Sequence, residues 1–405
     1  MNILYLGKFF PQTMLRTIKA DSKGKIGFSN HNFEMSILNG LCQQEGISLR
    51  CITLPGVFSY PQNNRNFITK SEYYDFRNTH ITSVGFCNLI GIKELWATIN
   101  CARTIMGEIS KFQEGVINVV INTPDSRLLD ALSFVKKKCG RSITQTVIIP
   151  DIPSMVSSMD KQNFIKSALL VRRDKKSMEQ TSESNGLVLL TEAMMDFVSK
   201  PVKHIVMEGI VDIGTMDKNG VEDIGDKKII LYTGTLRKIF GVQNLVKAFQ
   251  LMPDEDAELW ICGAGDSKDF IENAATKDSR IKFFGLVESS KALEMQHKAT
   301  ILVNPRTSEG EYTKYSFPSK TMEYLLAGKS TVANRLPGIP EEYFNYVYTP
   351  IDESVEALAD CLANVLHMNA EERVVRAEAG RRFILEKKNS KVQMERVIKM
   401  IESYV

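Results

Sequence analysis

Two kinds of hydrophobic pattern alternate along the chain. Short apolar runs are typical of buried parallel strands, and longer segments carry apolar residues at helical spacing. In the first half the runs predict strands at residues 3–6, 49–54, 117–121, 146–149 and 188–190, and the longer segments predict helices at 33–45, 92–112, 126–138 and 192–198. Strands that alternate with helices predict a parallel sheet with helices on both faces.

The same alternation restarts after residue 226. It predicts strands at 229–232, 258–262, 281–284 and 300–303, and helices at 242–251, 269–275, 289–297, 371–386 and 391–405. We therefore predict an α/β chain with an N-terminal Rossmann-like domain at 1–206 and a second at 207–386. Residues 387–405 are predicted to form a helix that packs back across the domain junction.

Composition supports a folded, water-soluble chain of two domains, because 405 residues with 43% hydrophobic and 24% charged side chains exceed one ordinary core. No apolar run approaches the ~18 residues of a membrane span, and the chain begins with a strand pattern rather than a signal peptide. Seven scattered cysteines without a CxxC pair favour reduced thiols and a cytoplasmic location.

Two features argue against a metal site. The five histidines lack ligand spacing. The sequence Asp254-Glu-Asp256 resembles a metal-binding DxD motif, but it precedes the strand predicted at 258–262 and so lies at the wrong end of a sheet.

The net charge of +3 is unevenly distributed, since residues 1–205 carry a balance of +8. Basic clusters occur at 136–138 with Arg141, and at Arg172, Arg173, Lys175 and Lys176. Each cluster alone is typical of a solvated helix face. Together they allow contact with an anionic membrane or an anionic acceptor.

The segment YSFPSKTMEYLLAG, residues 315–328, is the main candidate for chemistry. Serine as N-cap and a proline in the first turn predict a helix that begins near 316–319 and ends at Gly328. Lys320 in the first turn opposes the helix dipole unless an anion binds there, and Glu323 shares its face. Taken alone, an exposed lysine and a solvated glutamate explain the stretch equally well.

Three further turns follow strands of the same predicted sheet. They contain Gly234 with Arg237 and Lys238, then Gly263 and Gly265, then Phe284-Gly285-Leu286. Glycines that allow close backbone approach and several cations at one sheet edge predict a diphosphate site. Singly, each turn is explained as a tight connection. A nicotinamide dehydrogenase is the least favoured reading, because no third glycine completes the dinucleotide fingerprint.

These motifs resemble the retaining glycosyltransferases of family 4, which have the GT-B fold with two Rossmann-like doubly wound domains facing a central cleft. The similarity is sharpest to the subgroup of bacterial capsule and exopolysaccharide enzymes, and it rests on YTGTL from Tyr232 with Gly241, NPR from Asn304, SFPSK from Ser316, EYLLAG from Glu323, DIP from Asp151, LTE from Leu190 and EGIVD from Glu208.

Three positions depart from the family pattern. Glu323 matches the second of two glutamates eight positions apart, which binds the ribose hydroxyls, but the first falls on Tyr315. Many members have an arginine and a lysine where this chain has Thr235 and Phe240. We hypothesise that Arg237, Lys238 and Lys320 supply the missing charge.

The resemblance implies a division of the site. Lys320 and Arg237 are the candidate catalytic residues, which stabilise the leaving diphosphate, and no general base is assigned because the leaving phosphate takes the acceptor's proton. The candidate donor-binding residues are Gly234, Thr235, Lys238, Gly263, Gly265, Phe284, Gly285, Leu286, Arg306, Tyr315, Ser316, Ser319 and Glu323.

On the first domain, Asp151 stands where many relatives have a histidine. The connection from the first strand to the first helix is long, and such loops often carry binding residues. The candidates for donor-sugar and acceptor contacts are therefore Gly27, Ser29, Asn30 and Asp151.

The predicted function is transfer of a sugar from a UDP- or GDP-sugar to a glycan acceptor, such as a lipid-linked oligosaccharide, with no permanently bound cofactor, no metal and no nucleic-acid partner. The predicted location is the cytoplasm, with a peripheral contact at the inner face of the cell membrane. Two alternatives stay open: a nucleotide-sugar epimerase of the same fold, and an inactive sugar-nucleotide binder, suggested by Tyr315, Thr235 and Phe240.

Overall fold

The structure is a computed structural model that describes residues 1–23, 28–75, 78–153, 164–212 and 228–404. The chain divides into two compact units, one formed by Met1–Asp212 with Asn389–Val405 and the other by Ile213–Lys388. Most of the connection at 207–227, where we predict the domain boundary, lies outside the described residues. Each unit is described by itself.

The first unit is built on one large sheet. The strands of this unit are β1 Asn2–Gly7, β2 Ser48–Thr53, β3 Phe67–Ile68, β4 Ser71–Asp75, β5 Thr79–Ser83, β6 Phe86–Cys87, β7 Ile117–Asn122, β8 Ile143–Ile149, β9 Gly186–Leu189 and β10 Lys203–Val206, and all but β3 and β6 belong to the large sheet. The strand order is β10-β9-β8-β7-β1-β2-β5-β4, parallel except for the antiparallel β4 at one edge. A separate antiparallel pair joins β3 to β6.

Helices cover both faces of this sheet. They are α1 Gln12–Asp21, α2 Phe28–Cys42, α3 Lys93–Ile109, α4 Ser126–Lys138, α5 Phe164–Thr181 and, from the end of the chain, α12 Ser390–Glu402. In the sheet, β2 lies on one side of β1, and β7, β8 and β9 follow one another on its other side. Right-handed crossovers therefore place α2 on one face and α4 and α5 on the other.

The last helix completes the core of the first unit. Met394, Val397 and Ile401 are buried beside Ile3 and Tyr5. Helices α12 and α2 pack at close range, since a Cβ atom at Gly40 would overlap the backbone of Ser390. The start of α12 is capped by Asn389, whose Oδ1 accepts the Val392 N–H at 3.0 Å.

The connection after β1 differs from its expectation. We predicted a loop that continues to the first helix, but the structure places helix α1 within it. Met14 and Ile18, one helical turn apart, are the buried residues of α1. This helix is only ten residues long, and Met14, Leu15 and Ile18 make less than two turns of apolar pattern among polar residues, so its periodic signal is weak.

The second unit holds a fully parallel sheet. Its strands are β11 Lys228–Thr233, β12 Ala257–Cys262, β13 Ile281–Gly285, β14 Ile301–Asn304 and β15 Ser330–Ala333, in the order β13-β12-β11-β14-β15. Its helices are α6 Val242–Leu251, α7 Lys268–Lys277, α8 Ser289–Lys298, α9 Ser319–Leu326, α10 Val355–His367 and α11 Ala370–Lys387. The predicted doubly wound α/β class is confirmed, while β15 and α10 were not predicted.

Parallel strands bring their carboxyl ends to one edge of each sheet. In the second unit the turns after β11, β12, β13 and β14 therefore lie at the same edge. In the first unit the residues after β1, β7 and β8 meet in the same way. Ligands of doubly wound sheets bind at such edges.

Candidate functional site

Helix α9 begins at Ser319, with Pro318 at the N-cap position and no side-chain cap. The predicted serine cap is wrong, because the Ser316 hydroxyl instead accepts a hydrogen bond from Arg306 Nη2 at 2.8 Å. The helix ends as predicted before Gly328, whose φ of 67° is left-handed. Without a side-chain cap, the first N–H groups of α9 are suited to an anionic ligand.

Lys320 and Glu323 form an ion pair at the start of α9. The Lys320 ammonium lies 2.8 Å from Oε1 and 2.7 Å from Oε2 of Glu323, and both side chains are about a third exposed, at 35% and 36%. Gln296 Nε2 donates a further hydrogen bond to Glu323 Oε1 at 2.6 Å. The two residues with separate predicted roles are thus each other's partner in this structure.

A buried network fixes α9 against the ends of the strands. The Tyr324 hydroxyl accepts the Thr233 N–H at 2.9 Å and donates to the Thr233 carbonyl at 3.1 Å. Asn304, at the end of β14, donates to Thr321 Oγ1 at 2.9 Å. Lys320 directly precedes the anchored Thr321 and Glu323 directly precedes the anchored Tyr324, so these contacts hold both residues at the carboxyl edge of the sheet.

The glycine turns after β11 and β12 pack on each other. The Gly234 N–H donates to the Cys262 carbonyl at 3.0 Å, and the Leu236 N–H donates to the Ala264 carbonyl at 2.9 Å. A Cβ atom at Gly263 would overlap the Gly234 carbonyl oxygen, and one at Gly265 would overlap the Leu236 backbone. The close packing of the two loops on each other therefore explains why both positions need glycine.

Arg237 and Lys238 lie on the turn after β11. The Lys238 N–H donates to Asp266 Oδ1 at 2.7 Å, while its side chain is exposed. The Arg237 guanidinium lies 5.9 Å from the centre of the Phe240 ring, and the preceding Thr235 is exposed. This turn thus presents two cations at the carboxyl edge of the sheet.

Arg306 is held in an aromatic stack that the sequence did not reveal. Its guanidinium lies 5.3 Å from the Phe240 ring and 4.7 Å from the Tyr312 ring. Burial lowers the pKa of this guanidinium from its usual value. Phe240, which replaces a lysine of many family members, therefore has two arginines near its ring. The available signal was the aromatic Tyr312, which lies in the same loop after β14 as Arg306.

The remaining donor-side candidates are apolar. Tyr315, in the position of the first family glutamate, is buried, with the Lys314 ammonium 4.9 Å from its ring. Phe284 and Leu286 are 45% and 76% exposed, on either side of Gly285 with its φ of 65°. The turn after β13 thus offers an open apolar surface of the kind that a planar base contacts.

In the first unit, Asn30 and Asp151 line one cavity of about 270 Å³ together with Lys8, Asp125 and Arg127. The fold therefore brings these two acceptor-side candidates together. Gly27 and the side chain of Ser29 lie outside the described residues. Asp151 is exposed as a residue, yet burial of its carboxyl by the pocket wall raises its pKa to about 6.

Asp125 joins two cations at this pocket. Its carboxylate accepts from Lys8 Nζ at 3.1 Å and from Arg127 at 2.9 and 2.7 Å. Burial by itself would raise the pKa of this carboxyl, but the charges and hydrogen bonds of Lys8 and Arg127 hold it well below its usual range. We did not predict Lys8 or Asp125, although Lys8 directly follows β1 and Asp125 lies in the short turn between β7 and α4.

Glu34 is a buried carboxyl beneath the same edge. Its Oε2 accepts the Lys8 N–H at 2.9 Å, and it packs so closely on Gly7 that a Cβ atom there would overlap it. Burial raises the pKa of Glu34 to about 7, against the opposing effect of the Lys8 N–H bond. The first edge therefore contains a carboxyl that changes charge near neutral pH.

The described residues offer neither a metal site nor a membrane-spanning helix. They contain no group of three or more His, Cys, Asp or Glu side chains placed to hold a metal ion. Among their helices, none has the length and apolar composition needed to cross a bilayer. Asp254, of the DxD-like sequence, pairs with Lys228 at 3.3 Å and His367 at 2.7 Å, before β12 begins.

Comparison with known proteins gives one family match and one weak relative. Residues 227–368 match the family described as Glycosyl transferases group 1. The chain is 25% identical over 233 residues to the uncharacterized glycosyltransferase MJ1069 of Methanocaldococcus jannaschii, a match that covers 51% of this chain and 58% of that protein. The chain thus spans little more than half the length of this relative.

Solved structures resemble the whole chain. Sucrose-phosphate synthase from Thermosynechococcus elongatus has a TM-score of 0.59 at 13% identity, and the lipopolysaccharide outer core galactosyltransferase WaaB has 0.61 at 11%; both matches cover 100% of either chain. Anabaena HepE in complex with UDP has a TM-score of 0.60 at 11% identity, again over 100% of both chains. The chain therefore has the GT-B fold, and its second unit carries a domain that matches the glycosyl transferases group 1 family.

Proposed function

We propose that this protein is a glycosyltransferase that moves a sugar from a nucleotide diphosphate donor to a glycan acceptor. The observation that carries the proposal is the position of Lys320, Glu323 and Arg237. All three lie in the segment that matches the glycosyl transferases group 1 family, after strands whose carboxyl ends share one sheet edge.

The donor is a UDP- or GDP-sugar whose diphosphate binds Lys320 and the first N–H groups of α9. Because the Lys320–Glu323 pair is partly exposed, breaking it for a diphosphate and a ribose costs little. Gln296 keeps Glu323 in place when Lys320 turns to phosphate. Phe284 and Leu286 offer the apolar surface for the base.

The reaction retains the configuration of the sugar, as in the family that the motifs resemble. The bond between the anomeric carbon and the leaving phosphate oxygen breaks, and the acceptor oxygen bonds to that carbon on the same face. The acceptor's proton passes to the leaving phosphate oxygen. The protein's own contribution is stabilisation of the negative charge that develops on the diphosphate, by Lys320 and Arg237.

The acceptor is a lipid-linked saccharide of capsule, exopolysaccharide or another surface polysaccharide, and the enzyme acts at the cytoplasmic face of an anionic membrane. Asn30 and Asp151 contact it at the first-unit pocket. WaaB is named for the lipopolysaccharide outer core, and HepE was solved with UDP, which supports a glycan acceptor and a uridine nucleotide donor.

An inactive sugar-nucleotide binder is the second candidate, and one observation favours it. Tyr315 fills the position of the first family glutamate with a buried ring, so that this sugar contact is absent from that residue. An epimerase is less favoured, because none of the histidines matches a catalytic arrangement.

The test begins with thermal denaturation of the full chain in a panel of UDP- and GDP-sugars. A true donor at about a hundred times its dissociation constant adds roughly 2.7 kcal/mol, so it stands out. Release of nucleotide that requires an added lipid-linked acceptor supports transfer. Tight binding without release supports the inactive binder, and formation of an epimer supports the epimerase; either result contradicts our proposal.

A further inference from the structure

Helix α3 of the first unit is apolar on the side that faces solvent. Ile92, Leu95, Trp96 and Ile99 follow the i, i+3, i+4, i+7 spacing of one helix face and are 47%, 68%, 45% and 44% exposed. The opposite side, which includes Ala97, is buried against the sheet. A helix on a protein surface normally turns polar residues outward, and one that is apolar all round is normally covered.

The apolar surface continues from α3 onto two neighbouring loops. Phe58, Tyr60 and Ile90 are 46%, 46% and 77% exposed and line a common cavity with Lys93. These loops are joined by hydrogen bonds, since the Tyr60 N–H donates to the Asn88 carbonyl at 2.9 Å and the Lys93 ammonium to the Val57 carbonyl. The exposed side chains thus stand on a fixed frame.

Helices α4 and α5 extend the same side of the sheet. Helix α3 packs on α4, and α4 packs on α5. All three helices lie in connections that lead from the β5 end of the sheet toward its β9 end, so right-handed crossovers place them on the same face. Phe134 of α4 and Val171 of α5 are 55% and 51% exposed. Among the side chains of these helices that the structure describes, the exposed cations are Arg103, Lys137, Lys138, Arg172, Arg173, Lys175 and Lys176.

Acidic residues on this side are mostly neutralised. Glu94 lies 3.5 Å from Arg127, and Asp130 lies 2.8 Å from Lys176. Among the described side chains of the three helices, Glu179 is the remaining exposed acid. The surface formed by the outward residues of α3, α4 and α5, here called the α3 face, therefore combines apolar side chains with net positive charge.

We propose that the α3 face docks on the surface of an anionic lipid bilayer. Leucine, isoleucine and phenylalanine side chains insert at the boundary of the acyl chains, tryptophan and tyrosine favour the headgroup level, and lysine and arginine attract anionic lipids. A second copy of the same face would meet like charge. A nucleic-acid partner would leave the exposed apolar side chains of α3 uncovered.

The docked face lies beside the first-unit pocket. Glu94, in the first turn of α3, contacts Arg127, and Arg127 binds Asp125, which lines the pocket with Lys8. An acceptor saccharide in this pocket therefore has its lipid carrier next to the bilayer. This consequence rests on the proposed function, whereas docking itself does not require transferase activity.

Flotation of the full chain with vesicles tests the proposal. One set contains phosphatidylglycerol mixed with phosphatidylcholine, and the other contains phosphatidylcholine alone. We expect the wild type to float with the anionic vesicles. The floated fraction of the double variant Leu95→Glu/Trp96→Glu should be at least roughly tenfold lower, because two charges replace the inserting side chains. The matched control is Ile351→Glu, at a 94% exposed apolar position of the second unit, which should float like the wild type.

A second variant separates charge from insertion. Lys137→Glu/Arg172→Glu should reduce binding to anionic vesicles several-fold and make it less sensitive to salt. All four substituted positions are exposed, and unchanged thermal denaturation will verify that the variants fold.

Equal flotation of Leu95→Glu/Trp96→Glu and wild type overturns the proposal, as does equal binding to both sets of vesicles. So does light scattering that shows a wild-type oligomer dissociated by this variant, since the face would then join copies of the chain. Nucleotide-sugar binding, read by thermal shift, should persist in every variant. Failure of docking with intact donor binding is thus distinct from failure of the transferase proposal.

Discussion

The carboxyl edges of the two sheets use similar charges in different ways. At the first edge, the side chains of Asp125 and Arg127 are 9% and 13% exposed. At the second edge, Lys320 and Glu323 are 35% and 36% exposed. Both edges contain an acid–base pair at hydrogen-bonding distance, but only the second pair is well solvated.

The exposure of a charged pair decides whether its members can exchange partners. Removing one member of a buried pair leaves the other without compensation and costs several kcal/mol, so such a pair belongs to the fold. A pair near the surface contributes at most about 1 kcal/mol and gives way to a ligand easily. The first edge is therefore a fixed wall of its pocket, and the second edge is adapted to open.

The largest effect is expected from Asp125→Ala at the first edge. We expect a loss of roughly 3–5 kcal/mol in the free energy of unfolding of the first unit, because Arg127 and Lys8 lose their common partner in a buried site. Urea titration read by pulse proteolysis, with fragments assigned by mass spectrometry, measures this unit separately.

The control for Asp125→Ala is Asp130→Ala, which removes a more exposed ion pair between Asp130 of α4 and Lys176 of α5. It should change the free energy of unfolding by at most about 0.5 kcal/mol. A loss below about 1 kcal/mol for Asp125→Ala would show that the buried network does not stabilise the fold, and the contrast between the edges would disappear.

The next effect is expected from Lys320→Ala and Arg237→Ala at the second edge. Each should lower kcat roughly 10²–10³-fold, because one cation that stabilises the leaving diphosphate is lost, while the thermal midpoint stays unchanged. Steady-state kinetics with the donor found in the thermal screen provide the measurement.

Lys291→Ala is the matched control, because Lys291 forms an ion pair of the same i, i+3 spacing with Glu294, at 2.9 Å. Its kinetics should equal those of the wild type. If Lys320→Ala and Arg237→Ala both turn over donor at the wild-type rate, the proposed charge stabilisation is wrong.

A smaller effect concerns the pH dependence of the first edge. The pKa of Glu34 is raised to about 7 in the folded chain, so the folded state holds the proton more tightly than the unfolded state. The contribution of Glu34 to the stability of the first unit should be fully present below the ordinary carboxyl pKa and should fall as the pH rises through about 7, by roughly 2–3 kcal/mol.

Glu34→Gln should remove most of this slope, because the amide stays neutral. Urea midpoints of the first unit at about pH 5 and about pH 8 provide the comparison. Glu45→Gln, at an exposed acid after α2, should keep the wild-type slope. A slope that persists unchanged in Glu34→Gln would assign the pH dependence to other groups.

The sequence predicted the second sheet well for a physical reason. A parallel strand covered on both faces is apolar at nearly every position, as in β14 and β12, so four to six residues suffice to identify it. The short β15, with the sequence STVA, is equally buried but contains two hydroxyl residues. Burial alone distinguishes it, and burial is a property of the fold.

The sites differ in the same way. Lys320 and Glu323 are three residues apart on one helix, so the sequence alone could pair them. Lys8 is 26 residues from Glu34 and 117 from Asp125, and only the strand order brings the three together. The contacts of Arg306 with the Phe240 and Tyr312 rings likewise form only when separate turns fold together. The sequence therefore predicted contacts between residues of one helix, but not contacts that depend on the order of the strands.

Helix α12 has a consequence for synthesis on the ribosome. Its Met394, Val397 and Ile401 complete the core of the first unit, yet they are translated after the entire second unit. A nascent chain that has just emerged through residue 388 can close the core of the second unit while α2 still lacks its partner. The first unit, although made first, therefore finishes folding last, and its uncovered apolar surface is what a nascent-chain chaperone would meet.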